Sequence, residues 1–283
     1  GWRMQTSTSA ITAKKVSITG ILLLIFSLIL ALLPKTALSQ EPLRLVIQPI
    51  QSEQKTREIF QPLADYMQHI TEQPVTLVTY PNYISYGSET QKPNSYDIAF
   101  DAAHFIDYRD KNMDFTVLAK QPGIISISLI VPEDDLVFDP EELIGKKIAT
   151  PGPPSIAAVR IDELFENPVR LPTIIEGTDS GHIMSLLLAG EVDAAMLPTP
   201  LVSAQMAGDG GISLVLTTDS TPGMAISVSP NVSAEIREKL AKGLIEAEKT
   251  PEGKKMLDGT KLNPFEKTSN QEYFGFSELL GEI

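Results

Sequence analysis

The amino-acid sequence predicts an α/β fold in which mostly parallel sheets carry flanking helices. Short apolar runs rich in β-branched residues alternate with segments whose apolar residues recur at helical spacing. The alternation occurs twice along the chain, and further helical segments follow the second round. This pattern is typical of parallel strands, because two parallel neighbours need a crossover connection, which is usually a helix.

The first 39 residues have the pattern of a secretory signal peptide. Lys14 and Lys15 form a basic region, an apolar run extends from Ile21 to Leu33, and small residues follow in Ala37-Leu38-Ser39. The alternative is an uncleaved membrane anchor, because Val16 to Leu33 is just long enough to span a bilayer. We expect export to the periplasm with cleavage after Ser39.

The charge and the lack of cysteine exclude several classes of protein. The net charge is −13, and loss of the four basic residues within 1–39 would lower it to −17. A chain this acidic does not bind nucleic acid by neutralising phosphates. The absence of Cys excludes a disulfide scaffold, a thiolate metal site and a thiol nucleophile. We expect a monomer without a cofactor.

The first half of the mature chain begins with a strand, a helix and a second strand. Leu43 to Ile47 predicts the first strand, and a helix opened by Ser52 or Glu53 has apolar residues at helical spacing as far as Ile70. A strand then extends to Tyr80. The polar stretch from Pro81 to Ser95 predicts a loop with at most one weak helix. The remaining elements are a strand at 96–100, a helix to about residue 112 and a strand at 115–120.

The second half repeats the alternation. Ile124 to Val131 predicts one long β-branched strand, and Asp139-Pro140 opens a short helix. Strands are expected at 147–150, 171–175, 192–197, 212–217 and 224–228, and helices at 156–165, from 180 to Gly190 and from 233 to about 248.

The polar turn from Gly177 to His182 precedes one of these helices. Asp179 and Ser180 are residue types that cap helix N-termini. The N–H groups at the start of a helix lie at the positive end of its dipole and can hold an anion. The alternative is an ordinary connection between a capped helix and its neighbouring strands.

Five sequence blocks occur in an order that is similar to a known family. They are Leu45–Pro49, Phe60–Tyr66, Tyr96–Phe100, Leu143–Ala149 and Gly190–Ala195. The ordered set resembles the phosphonate-, phosphite- and phosphate-type periplasmic solute-binding proteins of ABC transporters. These belong to the type II, transferrin-like superfamily of periplasmic binding proteins.

The resemblance implies two α/β lobes joined by two crossing hinge strands that close on a ligand. Residues 40–124 and 231–283 would form the first lobe, and residues 125–230 the second. The implied function is capture of a small, anionic, phosphonate- or phosphate-like solute for an ABC permease in the inner membrane, without enzymatic activity. One alternative is an accessory protein of the same fold that presents a ligand to a membrane sensor kinase. Another is a binder of a metal or of a different solute without phosphorus.

Loops at the carboxyl ends of the strands are expected to line the cleft between the lobes. Topology and resemblance together give these candidate ligand-binding residues: Gln48, Ser52, Tyr80, Tyr83, Asp101, His104, Thr150, Ser155, Thr178, Ser180, Gly181 and His182. The backbone N–H groups at Ser155 and at Ser180–His182 are the anion donors that we favour.

The sequence departs from the family's pattern within the expected site. The turn Thr150–Ser155 contains three prolines, which remove three N–H donors where relatives have a hydroxyl-rich turn. Ile183 follows His182 where aminophosphonate binders carry an acid, and Leu201 stands near a second acid position. These changes argue against 2-aminoethylphosphonate as the ligand.

The sequence also bears on two other functions, metal binding and hydrolysis. His104 and His182 could hold a metal ion with Asp101 or Asp179, or each could be a solvated or capping residue. An exported hydrolase has little support, because the chain has neither a Gly-x-Ser-x-Gly nor a His-Glu-x-x-His motif.

Overall fold

The computed structural model describes residues 41–281. The signal peptide or anchor predicted for residues 1–39 lies outside that range. The described residues form one compact unit. Within the described range, no helix combines the length and hydrophobicity needed to cross a membrane.

The first half of this unit contains strands and helices in alternation. Its elements are β1 (Leu43–Ile47), α1 (Glu53–Thr71), β2 (Val75–Val78), α2 (Tyr83–Thr90), β3 (Ile98–Asp101), α3 (Ala103–Met113), β4 (Thr116–Lys120), β5 (Ile124–Ile125) and β6 (Ile127–Pro132). The second half continues with a 3₁₀ turn (Pro140–Leu143), β7 (Lys147–Thr150), α4 (Ile156–Leu164), β8 (Thr173–Glu176), α5 (Ser180–Leu188), β9 (Ala194–Pro198), α6 (Thr199–Ala207), β10 (Ile212–Thr217), β11 (Thr221–Pro222) and β12 (Ala225–Val228). The C-terminal elements are α7 (Ala234–Ile245), a 3₁₀ turn (Ala247–Lys249), α8 (Pro251–Thr260), β13 (Glu266–Lys267), α9 (Asn270–Tyr273) and a 3₁₀ turn (Phe276–Leu280).

A six-stranded sheet forms the core of the first lobe. Its strand order is β13-β4-β12-β3-β1-β2. The strands β2, β1 and β3 are parallel, with Leu45 opposite both Leu77 and Ile98. One face of the sheet packs on α1, α7 and α8, and the other packs on the aromatic residues of α2 and α3. The parallel part places the ends of β1 and β3 side by side at the edge that faces the second lobe.

A five-stranded sheet forms the core of the second lobe, in the order β10-β6-β9-β7-β8. The strands β8, β7 and β9 are parallel, β6 pairs antiparallel with β9, and β10 pairs antiparallel with β6. Both sheets are therefore mixed. The strands that follow the two crossing strands, β6 in the second sheet and β12 in the first, run opposite to the parallel strands beside them.

The lobes are joined through two short crossing strands. Pairing of β5 with β11 is antiparallel, with Ile125 opposite Thr221. We predicted a single strand from Ile124 to Val131, but it divides at Ser126, whose hydroxyl lies 2.8 Å from that of Thr199. The apolar run thus forms both the crossing strand β5 and the strand β6 of the second sheet.

The return crossing lies earlier than the predicted boundary at residue 230. All four residues of β12 are buried, and the strand inserts between β3 and β4 of the first sheet. The chain has therefore returned to the first lobe by Ala225. A buried apolar strand carries no mark of which sheet it joins, because both sheets offer apolar neighbours.

The segment from Pro81 to Ser95, predicted mainly as a loop, contains the eight-residue helix α2. Asn82 caps this helix by accepting a 2.8 Å hydrogen bond from the N–H of Ser85. Tyr83 and Tyr86 are buried and pack against Phe105 of α3. Aromatic packing thus stabilises a helix whose own residues are weak helix formers.

Candidate functional site

A cavity of about 240 Å³ lies between the two lobes. Both sheets contribute to its wall, and the first crossing strand adds Ile125. The lining residues are Gln48, Ile50, Tyr83, Ala102, Ile125, Ile127, Pro151, Ser155, Ile156, Ala157, Ser180, Met196, Leu197, Pro198 and Met224. Four of the twelve predicted ligand-binding residues are among them: Gln48, Tyr83, Ser155 and Ser180.

Gln48, which follows β1, forms part of the cavity wall on the first lobe. Its side-chain oxygen accepts a 3.1 Å hydrogen bond from the N–H of Ala102, and its side-chain nitrogen donates to the sulfur of Met224 at 3.3 Å. These two contacts tie the start of α3 to the region of the return crossing. Both amide groups are engaged, so Gln48 has a defined orientation at the cavity wall.

The buried residue Tyr83 lines the same wall. Its ring stacks on Phe105 with an interplanar angle of 8°. Burial and the nearby negative charge of Asp101 raise the pKa of Tyr83, so its hydroxyl remains protonated. Among residues 41–281 the hydroxyl has no hydrogen-bond partner. A neutral hydroxyl donor beside a cavity is suited to a ligand oxygen.

The second lobe presents the N-terminus of α4. The hydroxyl of Ser155 caps this helix by accepting from the N–H of Ala158 at 3.2 Å, and the N–H of Ser155 donates to Gly152. The N–H donor that we predicted at Ser155 is therefore already engaged. The N–H groups of Ile156 and Ala157, which follow it, donate to no acceptor within the described chain. Both residues line the cavity, so the free donors lie one and two residues beyond the predicted one.

The N-terminus of α5 meets the cavity at Ser180. Asp179 caps this helix, accepting a 2.8 Å hydrogen bond from the N–H of His182. The carboxylate thus occupies one of the donors that we expected an anion to use. The N–H groups of Ser180 and Gly181 have no acceptor in the part of the chain that the structure describes.

Asp101 does not line the cavity. It is fully buried, and its two oxygens accept from the guanidinium of Arg109 and, at 2.6 Å, from the hydroxyl of Tyr86. Arg109 is equally buried, lies over the rings of Tyr96 and Phe115, and has its pKa raised by Asp101 despite the opposing effect of burial. Asp101 belongs to an ion pair beneath the cleft, because Arg109 lies two turns further along the adjoining helix.

His104 lies at the contact between the lobes and also does not line the cavity. Its Nε2–H donates to the carbonyl of Pro154 at 2.7 Å, and Nδ1 is buried without a partner among residues 41–281. Burial lowers the pKa of His104 to about 4, and the positive charges of Arg109 and Arg160 act in the same direction. The imidazole is therefore neutral at physiological pH.

Gly87 of α2 also contacts the second lobe at this point. A Cβ atom added at Gly87 would lie only 2.8 Å from Cγ of Pro154. The contacts of His104 and Gly87 with Pro154 therefore bring the proline-rich turn directly onto the first lobe. We call these two contacts the proline latch.

The other predicted residues occupy local structural positions. Ser52 caps α1, Tyr80 packs edge-on against Tyr86, the hydroxyl of Thr150 accepts from the N–H of Gly152, and the N–H of Thr178 donates to Nδ1 of His182. Gly181 and His182 are exposed. Across residues 41–281, no three His, Asp or Glu side chains are grouped closely enough to hold a metal ion.

Most of the lining was missed because it is apolar. We selected polar residues in the cleft loops, whereas the structure adds Ile50, Ala102, Ile156, Met196 and Met224 from the same loops and strand ends. The signal in the sequence that could have identified these lining residues was their position near the end of a strand. Their apolar character gave no reason to separate them from the core.

Most of the described chain matches the model of a known protein family. Residues 45–273 match the family model described as "ABC transporter, phosphonate, periplasmic substrate-binding protein". The chain belongs to this family. Members of the phosphonate-binding family capture a solute between two lobes as the binding component of an ABC transporter. A search of curated protein sequences gives no significant match.

Solved structures similar to this phosphonate-binding family member share its fold at low sequence identity. The binding protein component of an ABC phosphonate transporter from Pseudomonas aeruginosa is 16% identical, with a TM-score of 0.68, over 84% of this chain and 85% of that one. PhnD1 from Prochlorococcus marinus in complex with methylphosphonate is 12% identical, with a TM-score of 0.67, over 84% and 96%. A Xanthomonas citri protein bound to ATP is also 12% identical, with a TM-score of 0.68, over 84% and 95%.

Proposed function

We propose that this protein is a periplasmic receptor that captures a small phosphonate between its lobes and delivers it to an ABC permease of the inner membrane. The observation that carries the proposal is the cavity between the lobes, which is lined by Tyr83 and by residues at the N-termini of α4 and α5 whose N–H groups have no acceptor among residues 41–281. Family membership supplies the transporter context.

The oxyanionic head group would be held by neutral donors. Ile156 and Ala157 offer N–H groups at the positive end of α4, and Ser180 offers an N–H and a hydroxyl. Tyr83 completes the set from the opposite lobe. Donors fixed by helices need little reorganisation when the ligand binds, and enclosure strengthens each of them by excluding water.

Closure would be favoured because the ligand contacts both lobes at once. Tyr83 lies on the first lobe, and Ile156 and Ser180 lie on the second. A ligand that binds both walls stabilises the closed arrangement by its extra affinity for that state. The permease would then recognise the closed receptor, and separation of the lobes would release the solute.

Isothermal titration of the chain from Gln40 with methylphosphonate, phosphate and sulfate tests this proposal. Tyr83→Phe removes one hydroxyl donor to a charged ligand and should weaken methylphosphonate binding by about tenfold or more. Tyr80→Phe is the matched control, because Tyr80 does not line the cavity. Absence of methylphosphonate binding, or equal effects of the two substitutions, would contradict the proposed site.

A further inference from the structure

We propose that the cavity selects phosphonates whose substituent is a short, uncharged alkyl group and rejects those that carry an ammonium. This inference rests on the proposed function and narrows its ligand class. It follows from the chemistry of the lining, from the arrangement of the nearest acids and from the volume of the cavity.

The lining contains no Asp, Glu, Lys, Arg or His among residues 41–281. Away from the donors of α4 and α5, the wall is formed by Ile50, Ile125, Ile127, Met196 and Met224. The side chain of Met196 is fully buried in the second lobe, and Ile50 reaches the cavity from the first. Apolar side chains therefore surround the space that remains after the head group meets its donors.

Asp101 and Asp179, the two acids that we considered for the site, already have partners in the folded chain. Both oxygens of Asp101 are engaged by Arg109 and Tyr86. Asp179 uses its carboxylate to cap α5. An ammonium group in the cavity would lose its hydration without gaining a carboxylate, and burial of an unpaired charge is strongly unfavourable.

The volume is suited to a compact ligand. A cavity of about 240 Å³ lies below the roughly 300–1,000 Å³ of pockets that hold drug-sized ligands. A phosphonate head with a chain of one to three carbons fills such a space. Each methylene moved from water into the apolar wall should improve affinity by about fourfold until the space is full.

The experiment compares two ligands of the same shape by isothermal titration. n-Propylphosphonate and 2-aminoethylphosphonate have the same number of heavy atoms and differ in a terminal methyl or ammonium group. We expect n-propylphosphonate to bind at least about 100-fold more tightly to the chain from Gln40. Equal affinities, or tighter binding of the aminophosphonate, would overturn the inference while leaving phosphonate capture intact. No binding of any of the phosphonates, 2-aminoethylphosphonate included, would overturn the proposed function itself.

A pair of variants tests the cause of the selectivity. Ile50→Glu places a carboxylate on the apolar wall, and Ile50→Gln adds similar volume without charge. Because Ile50 is in a loop and only half-buried, both variants should fold, which circular dichroism checks. Relative to Ile50→Gln, Ile50→Glu should shift the affinity ratio towards 2-aminoethylphosphonate by about tenfold or more. An unchanged ratio would show that charge at this wall does not determine the choice.

Discussion

Acid should destabilise this protein through His104. The imidazole is buried against the second lobe, and its pKa is lowered from 6.5 to about 4. Because the folded-state pKa lies below the unfolded-state value, the unfolded chain binds the proton more readily. The stabilisation from a neutral His104 is complete above pH 6.5, declines as the pH falls towards 4, and changes no further below that.

The magnitude follows from the separation of the two pKa values. The pKa of His104 is 6.5 in the unfolded chain and about 4 in the folded protein. Proton linkage then predicts a loss of about 3 kcal/mol of unfolding free energy at pH 4 relative to pH 7. His104→Gln removes the titrating group and keeps a side-chain N–H that can reach the carbonyl of Pro154. Between pH 7 and pH 4, the unfolding free energy of this variant should therefore fall by about 3 kcal/mol less than that of the wild type.

Urea denaturation of both proteins at several pH values between 7 and 4 measures this difference. Subtracting the two curves removes the contributions of carboxylates that titrate in both proteins. His69→Gln is the control for replacing a histidine that is exposed on α1. Parallel pH profiles for wild type and His104→Gln would refute the assignment of a buried, neutral imidazole at the proline latch.

Two further predictions concern the latch and the ion pair beneath the cleft. Gly87→Ala places a Cβ against Pro154 and, by opposing closure of the lobes, should weaken methylphosphonate binding at least severalfold. Ser88→Ala is the control and should have little effect, because Ser88 is exposed. Equal titration curves for the two variants would contradict a role of the proline latch in closure. Arg109→Met leaves the buried carboxylate of Asp101 without its cation and should cost about 3–5 kcal/mol of unfolding free energy by urea denaturation. The double variant with Asp101→Asn should recover part of that loss, and a double variant no more stable than Arg109→Met would show that the unpaired charge is not the cause.

Sequence periodicity predicted the elements that local residue patterns specify. The helix α1 has apolar residues at helical spacing and a Ser52 cap, and both features appear in the structure. The short buried strands β1, β3 and β7 were also found near their predicted positions. These patterns are readable because burial of one face imposes a period on the sequence.

Contacts between distant residues decided the parts that the sequence left open or misplaced. The helix α2 depends on the packing of Tyr83 and Tyr86 against Phe105. The lobe that receives β12 depends on pairing with β3 and β4. Neither interaction leaves a local signal, because an apolar or aromatic residue is compatible with many buried surroundings.

The same distinction holds for the candidate site. The sequence by itself determined the family, the alternation of strands and helices, and the loops from which the cavity is built. Only the tertiary structure decided that Asp101 pairs with Arg109, that His104 bonds Pro154, and that the free N–H donors belong to Ile156 and Ala157. A side chain's chemistry is encoded locally, but whether it faces a ligand depends on the partners that the folded chain brings within reach.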